Sequence, residues 1–152
     1  MLVQRITPNL WFDGNAKEAA EYYVSVFGDE GSLGSIEYYP TENLQDFQKE
    51  FAGKPLTVNF KLRDMEFVGI NAGPEFKFNE SVSFSVTCKD QAEIDYFWEK
   101  LSAVSEAEQC GWCKDKFGLS WQIVPENMGE LMQRPHAYEH MMEMHKIVIA
   151  DF

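Results

Sequence analysis

At 152 residues the chain is about one domain long, enough to bury a single sizeable core. Its 13 basic and 25 acidic side chains leave a net charge of −12, which excludes the basic stripe that nucleic acid requires and disfavours an anionic membrane surface. Twelve Phe, six Tyr and four Trp separate it from disordered chains, and three cysteines are too few for a secreted disulfide framework.

No apolar run approaches the ~18 residues of a membrane span. The opening Met1-Leu2-Val3-Gln4-Arg5 lacks the apolar stretch of a signal peptide. The expected setting is cytoplasmic, with reduced thiols.

In chain order, Ile6 to Phe12 alternates and predicts a strand, with Ile6, Leu10 and Phe12 on one face and Thr7, Asn9 and Trp11 on the other. Asp13-Gly14-Asn15 signals a turn and helix cap, and Ala16, Ala19, Ala20, Tyr23 and Phe27 follow at helical spacing up to Gly28. Residues 31–39 read as a strand and 42–52 as a short surface helix. Leu56, Val58, Phe60 and Leu62 alternate in a further strand. A tight turn at Arg63-Asp64-Met65 leads to a hairpin partner over Glu66–Asn71, and Ala72–Asn79 reads as a loop.

The pattern then restarts. Val82, Phe84 and Val86 alternate with Ser83, Ser85 and Thr87. Asp90 and Glu93 have capping-box spacing, and Ile94, Phe97, Trp98 and Leu101 form a helical stripe. Strands are predicted around 104–108, 110–115 and 119–124, with Pro125 as a stop. Residues 127–145 read as helical with a break at Pro135, and Ile147-Val148-Ile149 as a closing strand. The stripe Ala20, Tyr23, Phe27 superposes on Ile94, Phe97, Leu101, so the chain reads as an internal repeat. The expected fold is α+β: a single domain over 1–152 built of two βαβββ modules, about 1–75 and 80–125, with a C-terminal helical extension over about 126–152. The sheet faces away from the helices would enclose a cavity.

The runs Ile6-Thr7-Pro8-Asn9-Leu10-Trp11-Phe12-Asp13-Gly14, Asn71-Ala72-Gly73-Pro74, Phe76-Lys77-Phe78-Asn79 and Cys110-Gly111-Trp112 resemble a known family, as does Lys114 through Pro125. The resemblance is to the PhnB-like, 3-demethylubiquinone-9 3-methyltransferase-like branch of the vicinal oxygen chelate superfamily, home of glyoxalase I, extradiol dioxygenases and bleomycin-resistance proteins. It covers nearly the whole chain and implies paired βαβββ modules and a homodimer. The label implies methyl transfer, yet no glycine-rich loop of the kind a doubly wound methyltransferase needs follows any strand.

Many relatives hold a divalent metal with four side chains from the first and last strands of each module. Carried over by strand position, these fall at Thr7, Phe67 or Gly69, Ser83 and Gln122. Two hydroxyls and one amide do not make a divalent site, so neither metal nor other cofactor is expected. Strand alternation instead places Thr7, Asn9, Trp11, Asn71, Ser83, Ser85, Ser120 and Gln122 toward the cavity, against Leu10, Phe12, Phe84, Val86, Trp121 and Ile123 toward the helices. The same side chains would serve equally well as the filling of an interface between sheets. As a cavity lining they suit a neutral or aromatic small molecule.

Three further motifs compete. Cys110-Gly111-Trp112-Cys113 is a C-x-x-C, but within a strand its thiols would point to opposite faces, and no second cysteine pair completes a zinc site. His136-Ala137-Tyr138-Glu139-His140 fits an inverted zincin pattern, but too little chain follows for the third ligand, and a solvated helix with incidental histidines is the ordinary explanation. Met128, Met132, Met141, Met142 and Met144 cluster near the C-terminus, where packing is the ordinary explanation. The expectation is a small-molecule-binding protein. The alternatives are an enzyme working through Glu37, Glu66 or Asp115, with Gln122 orienting an aromatic or quinone-like substrate, or a metal enzyme of the glyoxalase or dioxygenase type.

Overall fold

A computed structural model describes residues 3–152; Met1 and Leu2, at the head of the segment examined for a signal peptide, lie outside them. The chain divides into two compact units, Met1–Lys77 and Phe78–Phe152.

The first unit runs β1 (Asn9–Phe12), α1 (Ala16–Phe27), β2 (Gly31–Tyr38), β3 (Pro55–Leu62) and β4 (Met65–Asn71). The sheet order is β1-β4-β3-β2, with β1 parallel to β4 and the other pairs antiparallel. Leu10, Phe12, Val58, Phe60, Leu62 and Phe67 are buried, as is the α1 stripe of Ala16, Ala19, Ala20, Tyr23 and Phe27. Phe60 sits between Phe67, at 5.2 Å between ring centroids, and Tyr23, at 5.9 Å. Burying each such side chain is worth about 1.5–3 kcal/mol.

Strand β1 is shorter than its alternation predicts. Pro8 has no N–H to continue the ladder, though its carbonyl still accepts from Val68 N at 3.0 Å, and Ile6 beyond it is 87% exposed. The predicted helix over 42–52 is a 3-10 segment, Asp46–Phe51, tied down by Phe51 stacking on Tyr39 at 5.2 Å.

The cap of α1 comes from a distance. Asn15 makes no side-chain cap bond; the Ala16 N–H donates to Oδ1 of Asn71, at 2.8 Å. The strand bearing Asn71 reaches the helix start because of Gly69, where a Cβ would stand 3.1 Å from that of Ala16.

The second unit runs β5 (Ser83–Cys88), α2 (Gln91–Leu101), β6 (Trp112–Lys114), β7 (Ser120–Pro125), α3 (Met128–Leu131) and α4 (Ala137–Met142). Its sheet order is β5-β7-β6, with β5 parallel to β7. Asp90 Oδ1 accepts from the Glu93 N–H at 2.9 Å, as the capping spacing predicts. Ile94, Phe97 and Leu101 are buried like their counterparts on α1.

This sheet has three strands, not four. The segment predicted as a strand over 104–108 is the 3-10 turn Ser105–Ala107; Glu and Ala are poor strand formers. The next strand starts late because Cys110 and Gly111 both have positive φ, 50° and 88°, in a two-residue hairpin turn closed by a Gln109–Trp112 bridge.

The helical tail breaks around Pro135 as expected, but the closing strand does not form. Ile147 is fully buried and Ile149–Asp151 is a 3-10 turn. A side chain does the work of a neighbouring strand: Gln91 Nε2 donates to Ile147 O at 3.0 Å, and Gln91 Oε1 accepts from Ile149 N at 2.9 Å. No helix among the described residues is long and apolar enough to cross a membrane.

Candidate functional site

Each sheet turns one face away from its helix. On the first sheet that face carries a groove of about 280 Å³, lined by Thr7, Ser32, Gly34, Asn59, Lys61, Glu66 and Val68 among others. Val58, Phe60 and Leu62 take the helix side of β3, so strand alternation sends Asn59 and Lys61 the other way. Asn59 Nδ2 donates to Ser35 Oγ at 2.7 Å, which orients its amide.

Lys61 and Glu66 oppose each other in the β3–β4 register and form no ion pair among the described residues, so a cation and an anion both stand on the groove wall. Gln4 holds Glu66 from the backbone side: its Oε1 accepts from Glu66 N and its Nε2 donates to Glu66 O, both at 2.9 Å. That amide takes the place of the backbone pairing that β1 supplies only from Asn9 onward. A second, more charged depression shares Ser32 and Lys61 and adds Asp29, Glu30, Arg63 and Asp64.

The predicted cavity residues separate into groups. Thr7 lines the groove. Asn9 is exposed, and its Nδ2 donates to Thr7 O at 2.9 Å. Trp11 is half-buried; its indole N–H donates to Gly73 O at 2.9 Å and its ring meets Phe76 edge-on at 4.8 Å, so it anchors the loop after β4.

Asn71 corrects the expected register. It shares the helix face with Phe67 and Gly69, is 4% exposed, and spends its side chain on Ala16 N and Pro55 O.

On the second sheet, Ser83, Ser85, Ser120 and Gln122 share the face away from the buried Val86, Trp121 and Ile123. Gln122 Nε2 donates to Ser83 Oγ at 3.0 Å, and Ser85 is exposed. Ser120 is 1% exposed, and its Oγ has no hydrogen-bond partner among the described residues.

The donor set does not fit a divalent metal. Phe67 and Gly69, two of the positions carried over for a ligand, face α1, and Thr7, Ser83 and Gln122 offer only hydroxyls and an amide. Among the described residues no three His, Cys, Asp or Glu side chains cluster as a metal would need.

The acid–base candidates divide sharply. Asp115 is 1% exposed and braces its hairpin: Oδ1 accepts from Phe117 N at 2.8 Å and Leu119 N at 3.1 Å, and Oδ2 from Trp121 Nε1 at 2.8 Å. Glu37 is exposed on β2, at the sheet's edge. Glu66 alone of the three lines the groove.

The C-x-x-C is split between a turn and a strand, and its thiols are free. Burial, helped by the charges of Asp115 and Glu108, pushes the Cys113 thiol up to about 12, which suppresses its thiolate. His136 and His140 are exposed, the first at the left-handed cap before the six-residue α4 and the second within it, with ring centroids 6.4 Å apart. Sequence reasoning passed over Asn59 and Lys61, although the alternation of Val58, Phe60 and Leu62 already assigned their face.

A β-α-β-β-β unit whose first and last strands lie parallel, followed by a second unit with the same parallel pairing, is the architecture of the glyoxalase-fold, vicinal oxygen chelate class. The family described as 3-demethylubiquinone-9 3-methyltransferase matches residues 4–124, and the chain belongs to that family. Among solved structures, the PhnB protein of Bacillus cereus is similar at 30% identity and a TM-score of 0.64, covering 80% of this chain and 99% of its own. Protein PA1353 of Pseudomonas aeruginosa shares the fold at 20% identity and a TM-score of 0.61, covering 82% and 98%. The Arabidopsis thaliana product AT5G48480 does so at 17% and 0.50, covering 82% and 98%. No curated protein matches the chain.

Proposed function

We propose that this chain is a small-molecule-binding member of its family, without a resident divalent metal, that takes a neutral or aromatic compound on the outward face of its four-stranded sheet. One observation carries the reading: the groove of about 280 Å³ whose wall holds a hydroxyl, an oriented amide and an unpaired Lys61–Glu66 couple over the stem of Val68. A few directed polar groups around a concave surface are what a small ligand needs for orientation. A cytoplasmic homodimer is part of the same reading. Methyl transfer is not: no glycine-rich loop follows a strand to cradle a nucleoside cofactor.

A thermal-shift screen of aromatic and quinone-like compounds tests it. A compound at 100 times its Kd stabilises the native chain by about 2.7 kcal/mol, or roughly 5–10 °C for a chain this size. Thr7→Val and Asn59→Ala should each shrink that rise. If no compound shifts the unfolding temperature, the binding reading fails. A second reading, catalysis by Glu66 as a general base, draws on its being the one carboxylate in the groove lining. It predicts turnover abolished by Glu66→Gln with binding retained.

A further inference from the structure

Two features left idle by the groove, the first half of the C-x-x-C and the C-terminal methionines, meet in space. The Cys110 Sγ lies 3.7 Å from the Met142 Sδ, its thiol directed at the thioether across 32 residues of sequence. The contact is built in from both sides. The Cys110 N–H donates to Met144 O and the Gly111 N–H to His145 O, both at 2.8 Å, so the hairpin turn is tied to the segment after α4. Gln109 Nε2 reaches both partners, donating to Cys110 Sγ at 3.1 Å and to Met142 O at 2.9 Å. The positive φ of Cys110 and Gly111 gives the turn its shape, and at Gly111 a Cβ would stand 3.0 Å from Ile147 Cγ1.

We propose that Cys110 and Met142 form a binding site for a soft monovalent cation of the Cu(I) or Ag(I) kind. Thiolate and thioether together select such ions, whereas zinc and the harder divalent metals prefer imidazole, carboxylate and thiolate without thioether. Two metal–sulfur bonds of about 2.3 Å spanning the observed separation would meet at roughly 107°, which leaves room for a third donor. Met142 is 44% exposed and Cys110 half-buried, so an ion has a path to both sulfurs. Binding replaces the thiol proton, which passes to solvent, and changes no oxidation state. The amide of Gln109 then donates to the metal-bound sulfur and holds its direction, as outer partners do for metal ligands. The other two cysteines, Cys88 and Cys113, are buried at 0% and 2% exposure and cannot compete in the folded chain.

The test is an anaerobic Cu(I) titration against a chromophoric chelator, run on the intact protein. The wild type should take one ion per chain. Cys110→Ser should weaken binding about 100-fold and Met142→Leu about 10-fold, while Met132→Leu leaves it unchanged. Wild-type protein carrying ¹³C-methyl methionine gives a readout independent of any variant's folding: one equivalent of Ag(I) should move the Met142 methyl resonance. No uptake by the wild type, full affinity in either ligand variant, or an unmoved Met142 methyl each overturns the site.

Discussion

Asn71 shows how one side chain can serve both a helix and a strand. Its amide oxygen takes the first N–H of α1 in a buried bond, and its amide nitrogen gives to Pro55 O in a part-buried one. Replacing it strands the buried Ala16 N–H and the part-buried Pro55 carbonyl, at a cost of about 1–3 kcal/mol for each group left unmade. Asn71→Ala should therefore lower stability in urea unfolding by about 2–4 kcal/mol, while Asn15→Ala, at the nominal cap, changes it by only a few tenths. A larger effect at Asn15 would mean that the helix is capped locally after all. This residue also marks the limit of legibility in the sequence. Alternation identifies Leu10, Phe12, Val86, Trp121 and Ile123 as helix-facing and Thr7, Ser83 and Gln122 as outward. It gives no sign that a strand-terminal Asn will turn back to cap a helix 55 residues earlier.

At the scale of elements, the sequence reveals what has a period and conceals what is held by a single side chain. The helices, with their stripes Ala20, Tyr23, Phe27 and Ile94, Phe97, Leu101, are legible because burial of one face imposes the spacing. The run Ile147-Val148-Ile149 looks like a strand by composition, but its ladder is supplied by the Gln91 amide, a long-range contact with no period to reveal it. The same corner is fastened by Lys146 Nζ on Asp95 Oδ1 at 2.7 Å. The bond from Lys146, with a second from Gln91, holds the Asp95 carboxyl below its usual range. A depressed carboxyl stabilises the fold above its unfolded pKa and loses that contribution as pH falls through its folded value. Both partners are partly exposed, so the gain is at most about 1 kcal/mol. Asp95→Asn should lower the unfolding temperature by about 1–3 °C at pH 7, with the gap to wild type closing as the solution is acidified below the carboxylate range. A gap that stays constant with pH would remove the ion pair from the account.

At the scale of the whole molecule, the chain repeats one topology in two units and varies it. The second unit lacks the strand that pairs at the far edge of the first sheet. The β2 edge that the first unit adds is where Ser32 joins the groove wall. Part of the acidic excess stands exposed on the two long helices, at Glu18, Glu21, Asp95 and Glu99. The groove itself carries one carboxylate and one ammonium, and so presents balanced charge to a ligand in an otherwise acidic protein. The family's fold is thus kept, and the outward face of its first sheet carries hydroxyls, an amide and the Lys61–Glu66 couple.

The most direct test is an amide NMR titration of the native chain with a compound that raises its unfolding temperature. The account predicts shifts concentrated at Thr7, Asn59, Lys61, Glu66 and Val68, weakened in Asn59→Ala. Shifts that leave those residues untouched and gather elsewhere on the chain would contradict it.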